Sequence, residues 1–291
     1  MPIRDDARAN STGRGANWTR RSVCAGAVAS LLQPAGSAIR AHAASPAGWT
    51  AVPDRSTISL GGLRYEAECG ADPIAIQRGA KDVIRFTMVP GNGWSKDDPK
   101  ASERTELDGW PSAISTKRPA WCAWSLHYEP GAWSTSDWCI LQQMFQVGGS
   151  PIVHVLKSDG MLHWVAADAA GTGGAFPVRH KMKLEQGKWL NFIETYKFDP
   201  VGGQGYWKCW LNGLQVLDFK GALGTKGATH CFPKFGIYRG VLRPWDGIDV
   251  KTLINPVTEA ISVRYCNMRF GVEDLSKLIT EPEPIPQWQP W

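Results

Sequence analysis

Three stretches of this sequence put polar side chains where a buried strand would carry apolar ones. In F-P-K-F-G-I-Y-R-G, residues 232–240, strand alternation places Lys234, Gly236 and Tyr238 on one face, with Phe235, Ile237 and Arg239 on the other. In E-R-T-E-L-D-G, residues 103–109, Arg104 and Glu106 share a face opposite Thr105 and Leu107. In L-Q-Q-M-F-Q, residues 141–146, Gln142 and Gln143 interrupt an apolar run. A buried amide must find partners, so each glutamine is either satisfied in a core or presented to a cleft. Arginine, lysine and glutamine are donors to anions, and tyrosine exchanges protons. The competing readings are a solvated face for 232–240 and an edge strand with a surface ion pair for 103–109.

These residues need strands to hold them, and the chain supplies strand signals throughout. Apolar or alternating runs at 83–89, 121–129, 139–147, 189–198 and 261–270 are bounded by Pro, Gly and Asp turns. Residues 152–156 turn at S-D-G into 161–165. Residues 207–211 turn at Asn212-Gly213 into 214–219, a two-residue hairpin signal. Helical periodicity hardly competes, and no βαβ alternation appears. The pattern predicts an all-β sandwich or jelly roll of two antiparallel sheets. Residues 94–99 and 171–174 read as surface loops, and the Pro/Trp-rich tail from about 281 as extended chain.

The first 43 residues read as a separate unit. Arg20-Arg21 is followed by an apolar run at 23–32 and by Ala41-His42-Ala43, the parts of a twin-arginine export signal with its cleavage site. The product, 44–291, is expected to be a single domain, periplasmic or secreted, with no membrane span. The segment 1–43 holds six arginines and two aspartates, so 26 of the 32 basic and 25 of the 27 acidic residues remain. A net charge near neutral gives no global field for nucleic acid or a heavily sulfated polymer. Six of the seven cysteines remain as well: Cys69, Cys122, Cys139, Cys209, Cys231 and Cys266. They allow pairing in an oxidising compartment or six free buried thiols. Their spacing suits no structural zinc, and no cofactor is expected.

Together the R-T-E-L strand, the Q-x-x strand and K-F-G-I-Y-R resemble the exported polysaccharide lyases with a concanavalin A-like jelly roll. That group includes heparin lyase I-like enzymes, glucuronan lyases and alginate lyases. The resemblance runs from E-R-T-E-L-D-G at 103–109 to V-R-Y-C-N-M-R-F-G at 263–271. It implies a concave groove lined by Arg104, Gln143, Lys234 and Tyr238, an acidic polysaccharide substrate (glucuronan, alginate or glycosaminoglycan-like), a monomer, and no metal. Such enzymes remove the C5 proton of a uronate and expel the oxygen at C4. Arg104 and Gln143 would neutralise the carboxylate as it becomes enolate-like. Tyr238 would be the base, the acid or both. Tyrosine ordinarily titrates near ~10, so Lys234 would supply the lowering charge, and the glycine between them would leave room for a sugar.

One position departs from the pattern. Many of these lyases read Gln-x-His on the glutamine strand, and here the histidine position is Phe145. His127 or His154, on strands expected to be neighbours, are the candidates to replace it, and His163, His180 and His230 are weaker. A non-catalytic carbohydrate-binding jelly roll is the alternative that Phe145 favours. A glycoside hydrolase would need two facing carboxylates, for which Glu66 and Glu68 are the nearest approach.

Overall fold

The computed structural model describes residues 48–97, 102–136, 138–149, 151–157, 159–166, 177–241 and 257–280. The segment 1–43, the 171–174 loop and the tail beyond 281 lie outside the described residues. The first strands are β1 (Thr50–Ala51), β2 (Thr57–Leu60), β3 (Leu63–Glu68), β4 (Ile76–Arg78), β5 (Ile84–Met88) and β6 (Ser102–Asp108). There follow β7 (Ile114–Ser115), β8 (Ala120–Tyr128), β9 (Cys139–Gln146), β10 (Ile152–Leu156), β11 (Met161–Ala166) and β12 (Val178–Lys183). The last are β13 (Trp189–Lys197), β14 (Gly205–Leu211), β15 (Leu214–Gly221), β16 (His230–Gly240), β17 (Ile261–Gly271) and the short helix α1 (Lys277–Thr280).

The strands form two antiparallel sheets. Sheet A runs β1-β4-β5-β17-β8-β13-β14-β15, and sheet B runs β12-β11-β10-β9-β16-β6-β3-β2, with β7 beside β16. In both sheets a late strand inserts among early ones: β17 lies between β5 and β8, and β16 between β9 and β6. This is the all-β jelly-roll sandwich that the strand pattern predicts. The stretch 103–109 is not an edge strand. It forms β6, flanked by β16 and β3, because Thr105 and Leu107 are apolar enough to turn inward and both are fully buried.

Alternation builds the core. On β8 Cys122, Trp124, Leu126 and Tyr128 point inward, on β13 Leu190, Phe192 and Tyr196, and on β16 Phe235 and Ile237. Trp124 stacks on Phe192 at 4.0 Å and 5°. Each such aromatic buries roughly 150–250 Å², worth about 4–6 kcal/mol at ~25 cal/mol/Å² before conformational entropy is counted. The β14–β15 hairpin turns as its sequence requires: Asn212 (φ 48°) and Gly213 (φ 82°) both take the positive φ of a tight two-residue turn. All six described cysteines are free and buried.

Candidate active site

The outer face of sheet B gathers the chemistry. One transverse row of cross-strand neighbours reads Glu66, Asp108, Lys234, Gln143, Val153. A second reads Arg104, Tyr238, Ile140, Val155, His163. Between them lie Glu68, Glu106 and Gly236. Arg104, Gln143, Lys234 and Tyr238, which come from three strands far apart in sequence, therefore share this face.

A β-bulge decides the fate of the two glutamines. On β16 Phe235 faces Gln142 and Tyr238 faces Ile140, so two residues of β16 oppose Leu141 alone. Leu141 and Gln142 both turn inward. Gln142 Oε1 lies 2.7 Å from His154 Nδ1 between the sheets, while Gln143 turns to the outer face. One glutamine lies between the sheets and the other lies on the outer side of sheet B, where it is 4% exposed.

Gly236 serves the backbone. Its φ is +145°, and a Cβ there would sit 2.7 Å from Glu106 Cα and closer still to the Thr105 carbonyl oxygen. The expectation of a glycine that leaves room for a sugar is therefore corrected: the absent side chain is what lets β6 lie against β16. Tyr265 of sheet A adds a hydrogen bond from its hydroxyl to the Gly236 carbonyl, at 3.1 Å.

The ionisable groups interlock. Arg104 donates from Nε to both carboxylate oxygens of Asp97, at 3.0 and 2.8 Å, and from Nη1 to Glu68 at 3.1 Å. Lys234 Nζ binds Glu68 at 3.0 Å and Asp108 at 2.9 Å. Gln143 Nε2 donates to Glu106 Oε1 at 2.7 Å. Four carboxyls thus surround two cations. Burial works to raise the Glu68 carboxyl, but Lys234 and Arg104 outweigh it and hold the group below its ordinary range. Burial raises Glu106 despite Arg104 and Lys234, and raises Asp108 despite Lys234. Burial works to lower Lys234, and Glu68, Asp108 and Glu106 more than offset it.

Tyr238 stands apart from that lattice. The Arg104 guanidinium carbon lies 4.2 Å from its ring centre, and Trp138 meets the ring edge-on at 5.0 Å. The guanidinium lies 5.2 Å from the Trp94 ring as well. The Tyr238 hydroxyl has no hydrogen-bond partner among the described residues. The cation beside the tyrosine is Arg104, which corrects the expectation for Lys234: its ammonium is committed to Glu68 and Asp108. Glu68, Asp97, Trp94 and Trp138 enter the site without having been singled out for it. The adjacent acids of β3 hinted at Glu68, whereas 94–99 read only as a loop.

Neither replacement histidine reaches this face. His127 is on β8 of sheet A, on that sheet's outer side and beside Trp189 at 5.3 Å. His154 is on β10 of sheet B but points inward and is fully buried. Its Nε2 lies 3.2 Å from Glu194 Oε1, among the rings of Trp124, Trp164, Phe192 and Trp207. The indoles of Trp124 and Trp207 also donate to Glu194, at 3.1 and 3.0 Å. Burial works to raise the Glu194 carboxyl, but His154 and the Trp124 indole bring it below the ordinary range. His163 does sit in the tyrosine's row, three strands away, or ~14 Å at ~4.8 Å per strand. Phe145 packs on Phe232 at 5.2 Å, and the Lys234 ammonium lies 5.5 Å from its ring centre.

Among the described residues no group of three His, Cys, Asp or Glu converges as metal ligands. Two surface cavities lie elsewhere and are lined by residues such as Asn191, Arg269 and Leu278, or Gly61, Phe270 and Lys277.

Known proteins share this architecture. An endo-β-1,4-glucuronan lyase from the fungus Trichoderma reesei superposes with a TM-score of 0.50 at 10% identity, over 79% of this chain and 96% of that one. An alginate lyase of polysaccharide lyase family 7 gives 0.46 at 13%, covering 77% and 94%. An alginate lyase from Pseudomonas aeruginosa gives 0.44 at 16%, covering 67% and 85%. No curated sequence matches the chain. Residues 75–255, more than half of the chain, match the family model for polysaccharide lyases and include Arg104, Gln143, Lys234 and Tyr238. The chain belongs to the polysaccharide lyase family.

Proposed function

We propose that this lyase is exported and cleaves a uronic-acid-containing polysaccharide by β-elimination that needs no metal ion. The observation that carries the reading is the Tyr238 hydroxyl, unbonded among the described residues, on a ring that packs against the Arg104 guanidinium. In the reaction the hydroxyl proton of Tyr238 first leaves to solvent, and the C5 proton passes to the resulting phenolate oxygen. The C5–H electrons form the C4=C5 double bond, and the C4–O bond breaks with its electrons going to the leaving oxygen. That oxygen then takes a proton. Arg104 Nη2 makes no hydrogen bond among the described residues, which leaves one edge of the guanidinium for the uronate carboxylate. One preorganised donor of this kind is worth about 3–4 kcal/mol.

With no histidine on this face within reach among the described residues, Tyr238 both takes and returns the proton. One residue does both only when C5–H and C4–O lie on the same side of the ring. Glucuronate and mannuronate satisfy that condition, and galacturonate does not. Two cations among four carboxyls also favour a singly charged polyuronate over a sulfated chain. Phe145 favours a second reading, a groove that binds such polymers without cutting them.

The test is the purified protein against glucuronan, polymannuronate, polygalacturonate and heparin, followed by the ultraviolet absorbance of the unsaturated product. Turnover is expected on one of the first two. Binding without absorbance on any polymer would leave the non-catalytic reading, and turnover confined to polygalacturonate would refute the single-tyrosine scheme. Export is tested by replacing Arg20 and Arg21 with lysine and following the protein's compartment.

A further inference from the structure

Glu106 is fully buried on the outer-face side of β6, in the row of Glu68 and Gly236. Its Oε1 accepts the Gln143 amide N–H at 2.7 Å, and its Oε2 has no hydrogen-bond partner. The nearest cation to Oε2 is Arg104 Nη1 at 3.7 Å, already bonded to Glu68. The groups that face Glu106 are Arg104 and Asp108 on its own strand, Lys234 on β16 and Glu68 on β3, with Tyr265 of β17 within electrostatic reach. An ionised carboxylate can only accept hydrogen bonds. It therefore obliges Gln143 to turn its –NH2 inward and its carbonyl oxygen away, and that oxygen has no partner among the described residues. A carbonyl oxygen repels a uronate carboxylate. A protonated Glu106 can instead donate to the Gln143 oxygen, and the amide then turns its –NH2 to the groove.

We propose that Glu106 is a positioning residue whose proton decides which end of the Gln143 amide meets the substrate, so that binding a uronate takes up one proton from solvent. Burial keeps that proton within reach of the accessible pH range. The local charge acts in the same direction: Glu68, Asp97 and Asp108 already outnumber Arg104 and Lys234, so an incoming carboxylate favours the neutral form of Glu106. The inference rests on the uronate reading for its ligand but not for its first test.

That first test needs no substrate. The side-chain ¹⁵NH₂ signals of Gln143, assigned by their loss in Gln143→Ala, are followed against pH in the free protein. A single titration of these signals is expected, absent in Glu106→Gln and retained in Asp108→Asn. A signal that does not move with pH, or one that follows Asp108 instead, overturns the proposal. The second test is calorimetric binding of a glucuronan tetrasaccharide to Tyr238→Phe in buffers of different ionisation enthalpy. Uptake of one proton is expected, with affinity weakening about 10-fold per pH unit above the transition and no such dependence in Glu106→Gln/Tyr238→Phe. Tight binding without proton uptake overturns the proposal. Absence of any binding alongside a normal amide titration counts against the uronate reading alone. If Glu106→Gln fails to fold, the wild-type titration and the proton count still decide.

Discussion

Replacing Gly236 with alanine tests whether β6 and β16 are set against one another by the absence of a side chain. The new methyl would lie 2.7 Å from Glu106 Cα, where ordinary contact begins near 3.4 Å, at a φ of +145° that L-residues rarely adopt. The strands must part by at least ~0.7 Å to clear Glu106 Cα and by more to clear the Thr105 carbonyl oxygen, or the backbone must leave its conformation. Strain of this kind costs about 1–3 kcal/mol and overpacking about as much again, so a loss of about 2–5 kcal/mol is expected. At an m-value of ~3 kcal/mol/M that moves the urea midpoint by roughly 0.7–1.7 M without changing the slope. Arg104 rides on β6 and Tyr238 on β16, directly opposite each other. A displacement approaching 1 Å between catalytic groups costs up to ~10²-fold in rate. Tryptophan fluorescence in urea measures the first effect, and product absorbance on the accepted polymer measures the second. A midpoint within 0.2 M of wild type (about 0.6 kcal/mol at that slope), with turnover retained, would refute the close-approach argument.

Three further outcomes are expected. Tyr238→Phe lowers kcat by about 10²–10⁴ with KM changed only a few-fold and the urea midpoint unmoved, because its hydroxyl bonds nothing among the described residues. Arg239→Met costs about 3–5 kcal/mol, since Arg239 is fully buried and its loss removes the cation bound to buried Glu103 at 2.7 Å and one partner of Glu259 at 3.2 Å. The double variant with Glu103→Leu is expected to recover part of that loss in the same urea measurement. Glu194→Gln flattens acid unfolding. The native Glu194 carboxyl lies below its ordinary range, so its contribution is present above the unfolded value near ~4.3. That contribution is lost as pH falls through the lower folded value. Urea midpoints from pH 7 down to 3 should therefore fall more steeply in wild type than in the variant.

Period-two patterning made much of this molecule legible. Phe235, Ile237, Thr105 and Leu107 point inward as alternation demands, which forces Lys234, Tyr238 and Arg104 onto one outer face. Alternation says nothing about which strands adjoin. His127 and His154 read as candidates on neighbouring strands, yet they lie in opposite sheets, because the jelly roll inserts β16 and β17 among strands from much earlier in the chain. The bulge opposite Leu141 reverses alternation locally, so it could not be seen that Gln142 and Gln143 would take opposite fates. Glu68 and Asp97 reach Arg104 from a separate strand and a turn, partnerships that only the assembled sheet creates. Strand β12, V-R-H-K-M-K, escaped notice because an edge strand with two solvated sides carries little apolar signal.

The six free thiols give the enzyme an internal clock. Cys122, Cys209 and Cys266 lie in sheet A, Cys139 and Cys231 in sheet B, and Cys69 just beyond β3. Burial pushes Cys69, Cys139 and Cys231 up to about 12 and Cys122 and Cys209 well upward, so these five hold almost no reactive thiolate. An alkylating reagent can then label them only during excursions that open a sheet. Peptide-resolved labelling would report whether the two sheets separate in one event or fray strand by strand, and it would do so in native buffer without an added probe.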